Sequence, residues 1–213
     1  MTGAVRRIEG SDDETGTATL RASIAGAATI EFQYPSGVRR ETVNLIAAPA
    51  GAWSGTDGIS HKIAFHNLFA EPIWFFPALA ITRRTVSPST SASYLGAVTV
   101  NGRNEVHISL YQVAPIPNAS DGVTFEHLTQ VDLFLDAATM LPAQMSFTVH
   151  PDENALVDIP VDVQFADYRP FNGALVPYHI QKFINGTLVL DLQISAIVAN
   201  SGLPTSLFAV DAR

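Results

Sequence analysis

Residues 157–168, "VDIPVDVQFADY", place Val157, Ile159, Val161, Val163 and Phe165 at every second position, with Asp158, Asp162 and Gln164 between them. A period of two is that of a strand with one face buried and the other in water. The same alternation recurs in "QVDLFLD", where Val131, Leu133 and Leu135 share a face, and in "EVHISLYQV", where Val106, Ile108 and Leu110 oppose His107, Ser109 and Tyr111. Pro160 cannot donate to a ladder, which predicts an edge or bulged strand around it. Turn chemistry joins such segments in series. Asn101-Gly102 and Asn185-Gly186 supply the positive φ angles of a tight hairpin, and Pro35-Ser36-Gly37 closes a third. The pattern is a meander of antiparallel strands from both ends of the chain. No strand–helix–strand alternation is present, which argues against a parallel-sheet enzyme fold.

The middle of the chain breaks the pattern. After Trp53, Thr56 or Asp57 could cap a helix carrying Ile59, Ile63, Phe65, Leu68 and Phe69. Next comes "EPIWFFPALAI", residues 71–81, with Trp74, Phe75 and Phe76 between Pro72 and Pro77. Pro72 suits the first turn of a second short helix, and Pro77 is expected to break or kink it. The apolar run is far shorter than the roughly 20 residues needed to span a bilayer. Three aromatics represent on the order of 10 kcal/mol of gross burial energy. With 47% hydrophobic and 15% charged residues in the chain, few charges are left to shield such a segment. Its partner is expected inside the molecule, on the concave apolar face of a curved sheet.

Charge and residue usage exclude several functions. A formal charge of −8, with Lys62 and Lys182 as the only lysines and adjacent arginines only as the isolated pairs Arg6–Arg7, Arg39–Arg40 and Arg83–Arg84, disfavours nucleic acid and anionic membrane surfaces. The absence of cysteine removes disulfides, thiolate metal sites and a cysteine nucleophile. No Gly-x-Ser-x-Gly elbow is present, and Ser54 and the Ser60–His61 pair are sequence neighbours only. Asp158 and Asp162 would project the same way about 13 Å apart, beyond the roughly 5–9.5 Å of glycosidase carboxylates. His61 and His66 are five apart, so they do not share a helix face as a zinc pair would. His107 and His127 could meet Glu105 or Glu126 across strands, but ordinary polar strand faces account for them. Arg169 could face a head group or form a local salt bridge. The expectation is no catalytic residue, no metal and no cofactor.

Three stretches resemble a known family. "LFLDAATMLPAQMSF" is similar to a strand–turn–strand with an Asp-x-x-Thr segment. "FADYRPFNGALVPYHIQKFINGTLVLDLQI" resembles a strand, an Asp-Tyr-Arg, a Gly, then Val-Pro and another strand. "NSGLPTSLF", ending at Phe208, resembles a closing Asn–linker–Phe. These patterns, over about residues 125–210, are those of the bacterial LolA/LolB-like half-barrels, the outer-membrane lipoprotein carriers and their relatives. Over residues 1–100 the likeness lies in element order: sheet, helices, sheet.

The resemblance implies an α+β, mainly antiparallel fold: a curved, unclosed half-barrel of about ten strands with a short helical insertion packed in its concave face. One domain is expected over 1–213, with strands over about 3–54, a helical plug or lid over about 58–82, strands over about 94–200 and a tail over 201–213. It further implies a non-catalytic, monomeric, periplasmic or otherwise exported protein whose signal peptide has been removed. The expected ligand is a lipid, acyl chain or lipoprotein, with an envelope protein as a further partner. Ile63, Phe65, Leu68 and Phe69, together with Trp74, Phe75 and Phe76, are the candidate ligand-binding residues. The segment carrying them reads either as fixed core or as a displaceable lid. Carriers of this fold use a buried arginine as a lid latch, and no motif matches such a residue here. Two other classes stay open: an interaction module whose concavity is filled by its own helices, and a hydrolase with a site assembled from scattered residues.

Overall fold

The computed structural model describes residues 1–46, 48–113 and 119–210. Its frame is one antiparallel, unclosed sheet of thirteen strands, where the sequence reading expected about ten. The first six run β1 (Thr2–Glu9), β2 (Asp12–Ser23), β3 (Ala27–Tyr34), β4 (Gly37–Asn44), β5 (Ala50–Ser54) and β6 (Ser60–Lys62). The remaining seven are β7 (Thr90–Val100), β8 (Arg103–Gln112), β9 (Val131–Asp136), β10 (Pro142–Val149), β11 (Ile159–Phe171), β12 (Ala174–Ile184) and β13 (Thr187–Ala196). Spatial order is β6-β5-β4-β3-β2-β1-β13-β12-β11-β10-β9-β8-β7. The chain therefore meanders outward to one edge, crosses to the opposite edge, and meanders back until β13 pairs with β1.

That topology explains the aromatic run. The segment between β6 and β7 must travel from one edge of the sheet to the other, and its path lies over the inward face. It holds a 3-10 turn (Phe65–Phe69) and helix α1 (Pro77–Thr85). Ile73, Trp74 and Phe75 are all but fully buried, and they belong to the same apolar cluster as Leu20, Ile30 and Ile180 of the sheet. The segment is greasy because it covers the interior. The prolines suit its short, broken path.

The hairpins form where turn chemistry placed them. Asn101 and Gly102 have φ of 49° and 77°, and Asn185 and Gly186 have 49° and 73°. Tyr34 pairs with Gly37 around a two-residue loop. The Asp-x-x-Thr stretch closes the β9–β10 turn, with the Asp136 carboxylate accepting from Ala138 N, Thr139 N and Thr139 Oγ1. Phe208 is buried, and its segment is tied down by Asn44 Nδ2 donating to Phe208 O at 3.1 Å and Thr29 Oγ1 to Leu207 O at 3.0 Å.

Four local expectations need correction. The helix expected from Ile59 is instead strand β6, which pairs with β5, and then the 3-10 turn. Gly58 at φ +73° turns the chain back along an unpaired strand edge, and that pairing overrides the helical spacing. Pro77 starts α1, at its first position, where no N–H is needed. β11 is an internal strand, and Pro160 sits at its second residue, opposite Thr148 and beyond the last pair with β12. The span 94–200, expected as strands, also contains helix α2 (Ala119–Thr129). Residues 114–118 of that span, and 211–213 of the expected tail, lie outside the described residues.

Close backbone approach is strongest at Gly16 of β2. A Cβ there would stand 2.0 Å from the Gln33 carbonyl oxygen of β3. Neither group can move without opening the ladder. Gly16→Ala should therefore lower stability by about 1–3 kcal/mol or more, read from the urea midpoint. An unchanged midpoint would mean that β2 and β3 can separate freely at this point.

Candidate functional site: a divided inward groove

The inward face is built by the cross-strand register. One row runs Phe165–Ile180–Leu192–Val5 across β11, β12, β13 and β1. The next runs Met145–Val163–Lys182–Leu190–Arg7 across β10 to β1. The first is wholly apolar. The second carries two cations at positions where the alternation calls for hydrophobic side chains.

The crossing segment divides the groove. On one side Trp74 borders a cavity of about 360 Å³, with Ile30, Phe32, Ile184 and Leu190 as its apolar wall. On the other, Phe75, Phe76 and Leu79 border a cavity of about 640 Å³ that reaches Leu20 and Phe208. Trp74 and Phe75 meet edge to face, with centroids 5.7 Å apart. Ile24, Ile46 and Val198 line the larger cavity while remaining exposed, so it opens to solvent.

Of the residues singled out from the sequence, Trp74 lines the smaller cavity and Phe75 and Phe76 the larger. Ile63 and Leu68 pack on Gly51, where a Cβ would come within 3.0 and 2.6 Å of them. Phe69 stands edge-on to Phe125 of α2 with centroids 5.2 Å apart. Phe65 stacks edge-on against Phe69 and is 64% exposed. These four hold the crossing segment to β5 and α2 and border neither cavity.

What fixes the segment is ionic and was not legible in the sequence. Glu71 and Arg84 are both fully buried, with Arg84 Nε donating to Glu71 Oε2 at 2.6 Å and Arg83 Nη2 3.6 Å from the same oxygen. Glu71 Oε1 accepts from Ile73 N at 3.1 Å, and Arg84 Nη1 donates to Thr129 O at 2.8 Å. Burial raises the Glu71 pKa, but Arg84 and Arg83 outweigh it and hold the carboxyl below its ordinary value. The pair thus clasps both ends of the aromatic run and fastens them to the end of α2.

The smaller cavity has an unusual polar lining. Lys182 is half-buried, with its ammonium 4.6 Å from the Trp74 ring centroid. Burial pushes its pKa below the ordinary lysine value, and Glu41 pulls in the opposite direction. Arg7 is buried and pairs with Glu9 and, at 3.4 Å, Glu14; Arg39 reaches Glu9 at 3.4 Å. Arg7 Nε, Arg39 Nε and Trp74 Nε1 are nonetheless buried without a hydrogen-bond partner among the described residues. Trp53 stacks on His61 at the exposed rim, with centroids 4.5 Å apart. The sequence did hold a signal for Lys182: it stands between Ile180 and Ile184 on the inward side of "HIQKFI".

The histidines separate. His107 faces Asp132 at 3.2 Å and stacks on Phe134, and does not meet His127. His127 Nε2 lies 2.8 Å from Asp158 Oδ1, and His150 Nδ1 lies 3.5 Å from the same oxygen. Ligand atoms of these three fall within 4.8 Å of one another, a spacing that could hold a divalent ion. Burial pushes the His150 pKa below the ordinary histidine value, with Val157 O and Asp158 pulling the other way. Their hydrogen bonds already link α2 to the start of β11. Arg169 pairs with Asp167 at the exposed surface.

A curved, unclosed antiparallel sheet wrapped on a crossing segment with a short helix is the LolA-like fold. A DUF1329 family protein from Desulfovibrio piger has this fold at 12% identity, with a TM-score of 0.57 over 98% of this chain and 88% of that one. A LolA superfamily protein from Nitrosomonas europaea matches at 11% identity and a TM-score of 0.53, over 98% and 88%. A domain from Vibrio parahaemolyticus named for outer membrane lipoprotein sorting matches at 10% and 0.54, over 97% and 86%. No protein-family model matches the sequence, and no curated protein matches it. Among the described residues no helix is long and apolar enough to cross a membrane.

Proposed function

We propose that the protein is a non-catalytic binding protein of the cell envelope that holds a lipid or acyl chain between its curved sheet and the crossing segment. One functional unit then spans residues 1–213. The observation that carries this reading is the pair of cavities, about 360 and 640 Å³, on either side of the Trp74–Phe76 wedge. Both fall in the range of about 300–1,000 Å³ typical of small-molecule sites. Exposed apolar side chains at the mouth of the larger one give a chain an entry path. Trp74, Phe75 and Phe76 contact the ligand. Ile63, Phe65, Leu68 and Phe69 support the wedge from the β5 edge. The name of the Vibrio fold neighbour, a domain for outer membrane lipoprotein sorting, supports a lipid-related role at the cell envelope.

Native mass spectrometry of the purified protein, with organic extraction of what co-purifies, tests this reading. A lipid-sized adduct is expected, and it should be largely lost from a Trp74→Ala, Phe76→Ala variant. A bare mass that persists after incubation with phospholipid and with fatty acid would overturn it and leave the groove as closed core. The interaction-module reading would then stand.

A further inference from the structure

We infer that the smaller cavity is a subsite for the head group of a single-chain amphiphile bearing a terminal oxyanion, with Lys182 as the principal anchor. This deepens, and rests on, the hydrophobic-ligand reading above. Three independent observations converge on it.

First, Lys182 occupies an inward position between Val163 and Leu190, where the sheet pattern places hydrophobic residues. Among the described residues its ammonium has neither an ion pair within 4 Å nor a hydrogen bond; it lies against the face of Trp74, with Glu41 as the one carboxylate acting on it from further off. A charge held in such surroundings is costly unless something compensates it. Arg7 and Arg39 differ, since Glu9 and Glu14 already face them.

Second, donors that need an acceptor are gathered around the same cavity. Arg7 Nε, Arg39 Nε and Trp74 Nε1 are buried and unpaired among the described residues, and all three side chains line it. Orphaned buried donors are rare in folded proteins, and a missing ligand is one of the few reasons for them. An acceptor-only group, a carboxylate or a phosphate, matches the Lys182 ammonium, and a small shift of the Arg7, Arg39 or Trp74 side chain would let it satisfy their buried N–H groups as well.

Third, one side of the wall is apolar. Ile30, Phe32, Ile184 and Leu190 give the cavity a hydrophobic flank beside its cations. A cation site embedded in hydrophobic wall suits a molecule with a charged head and a hydrocarbon body. At about 360 Å³ the cavity lies near the small end of ligand pockets, which favours one chain over the two of a phospholipid. The lining carries four cations (Arg7, Arg39, Arg40 and Lys182) against Glu9 and Glu41, in a protein of net charge −8. Arg40 is already paired with Glu31, and Arg7 and Arg39 with Glu9, so Lys182 is the cation of the lining with no carboxylate in direct contact, Glu41 acting on it only at longer range.

The test compares four C12 probes by isothermal titration calorimetry on the full chain: dodecanoate, dodecyl phosphate, dodecanol and dodecyltrimethylammonium. One or both anions should bind about tenfold or more tightly than the alcohol, and the cation should bind worst. The better anion identifies the head group as carboxylate or phosphate. Lys182→Met should abolish the preference for the anion over the alcohol, and Lys182→Arg should restore part of it. Lys182→Met should also unfold at no lower temperature than the parent, because methionine between Val163, Leu190 and Trp74 needs no compensating charge. Equal binding of dodecanoate, dodecyl phosphate and dodecanol, or an anion preference that survives Lys182→Met, would overturn the head-group assignment and leave the hydrophobic-ligand reading intact. No binding of any probe, together with a bare mass in the native spectrum, would overturn both.

Discussion

Replacing Arg84 by methionine should destabilise the protein by about 3–5 kcal/mol, because it leaves the Glu71 carboxylate buried without its partner. The loss is not the worth of the ion pair itself. Removing both charges together, as Glu71→Leu with Arg84→Met, should cost much less than either single change, since a buried pair contributes little net energy over well-packed apolar groups. Urea unfolding of the two single variants and the double variant closes the cycle, and the coupling should exceed the loss from either single change, so it should be above about 3 kcal/mol. Additive losses would show that Glu71 and Arg84 do not act as a unit.

The same pair sets a pH dependence. Its folded-state pKa is below the ordinary 4.5, so Glu71 contributes stability that is fully present above about pH 4.5 and is lost as pH falls through the folded value. Arg84→Met inverts this. A carboxyl buried without its main counter-charge has a raised pKa, so the variant should gain stability relative to the parent on mild acidification, since Glu71 contributes no change to the parent over that range. Stability measured from pH 7 down to pH 4.5 separates the two. Parallel curves would mean that Glu71 is not carried into the interior as a charge.

Phe75→Ala is the second change with a large expected effect, about 3–5 kcal/mol. Phe75 is 1% exposed, packs edge to face on Trp74, and belongs to the cluster that joins the crossing segment to the sheet. Truncation removes a large apolar contact and leaves a void that can merge with the 640 Å³ cavity. Phe75→Leu should lose far less, since most of the volume stays filled. The measurement also bears on whether the segment is fixed or displaceable. A loss of the expected size means the wedge is part of the folded core, so a ligand must bind beside it. A loss under about 1 kcal/mol, with tighter binding of the C12 probes, would mean the wedge swings aside to admit them.

The architecture was written locally to a large extent. The alternation in "VDIPVDVQFADY", the Asn-Gly turns and the Pro-Ser-Gly loop each depend on residues a few positions apart, so they specify strands and hairpins without help from distant contacts. The aromatic run likewise announced its own burial, since no soluble fold leaves so much apolar area in water. Strand β6 and the role of Pro77 were misread for a complementary reason. "SHK" has no strand pattern of its own and is a strand because the open edge of β5 accepts it. Pro77 could be read as breaking a helix or starting one, and only the path across the groove decides.

The site divides in the same way. Sequence alone determined that Trp74, Phe75 and Phe76 lie inside, because hydrophobicity is a property of the residues themselves. It did not determine that Trp74 faces one cavity while its two neighbours face another, or that Arg84 meets Glu71 and the carbonyl of Thr129, 13 and 45 residues away. Nor could it give Lys182 the neighbours Leu190 and Trp74, which come from another strand and from the crossing segment. A charged side chain carries no local mark of its partner. The tertiary structure decides whether it is solvated, paired, or left facing a space that an anion can fill.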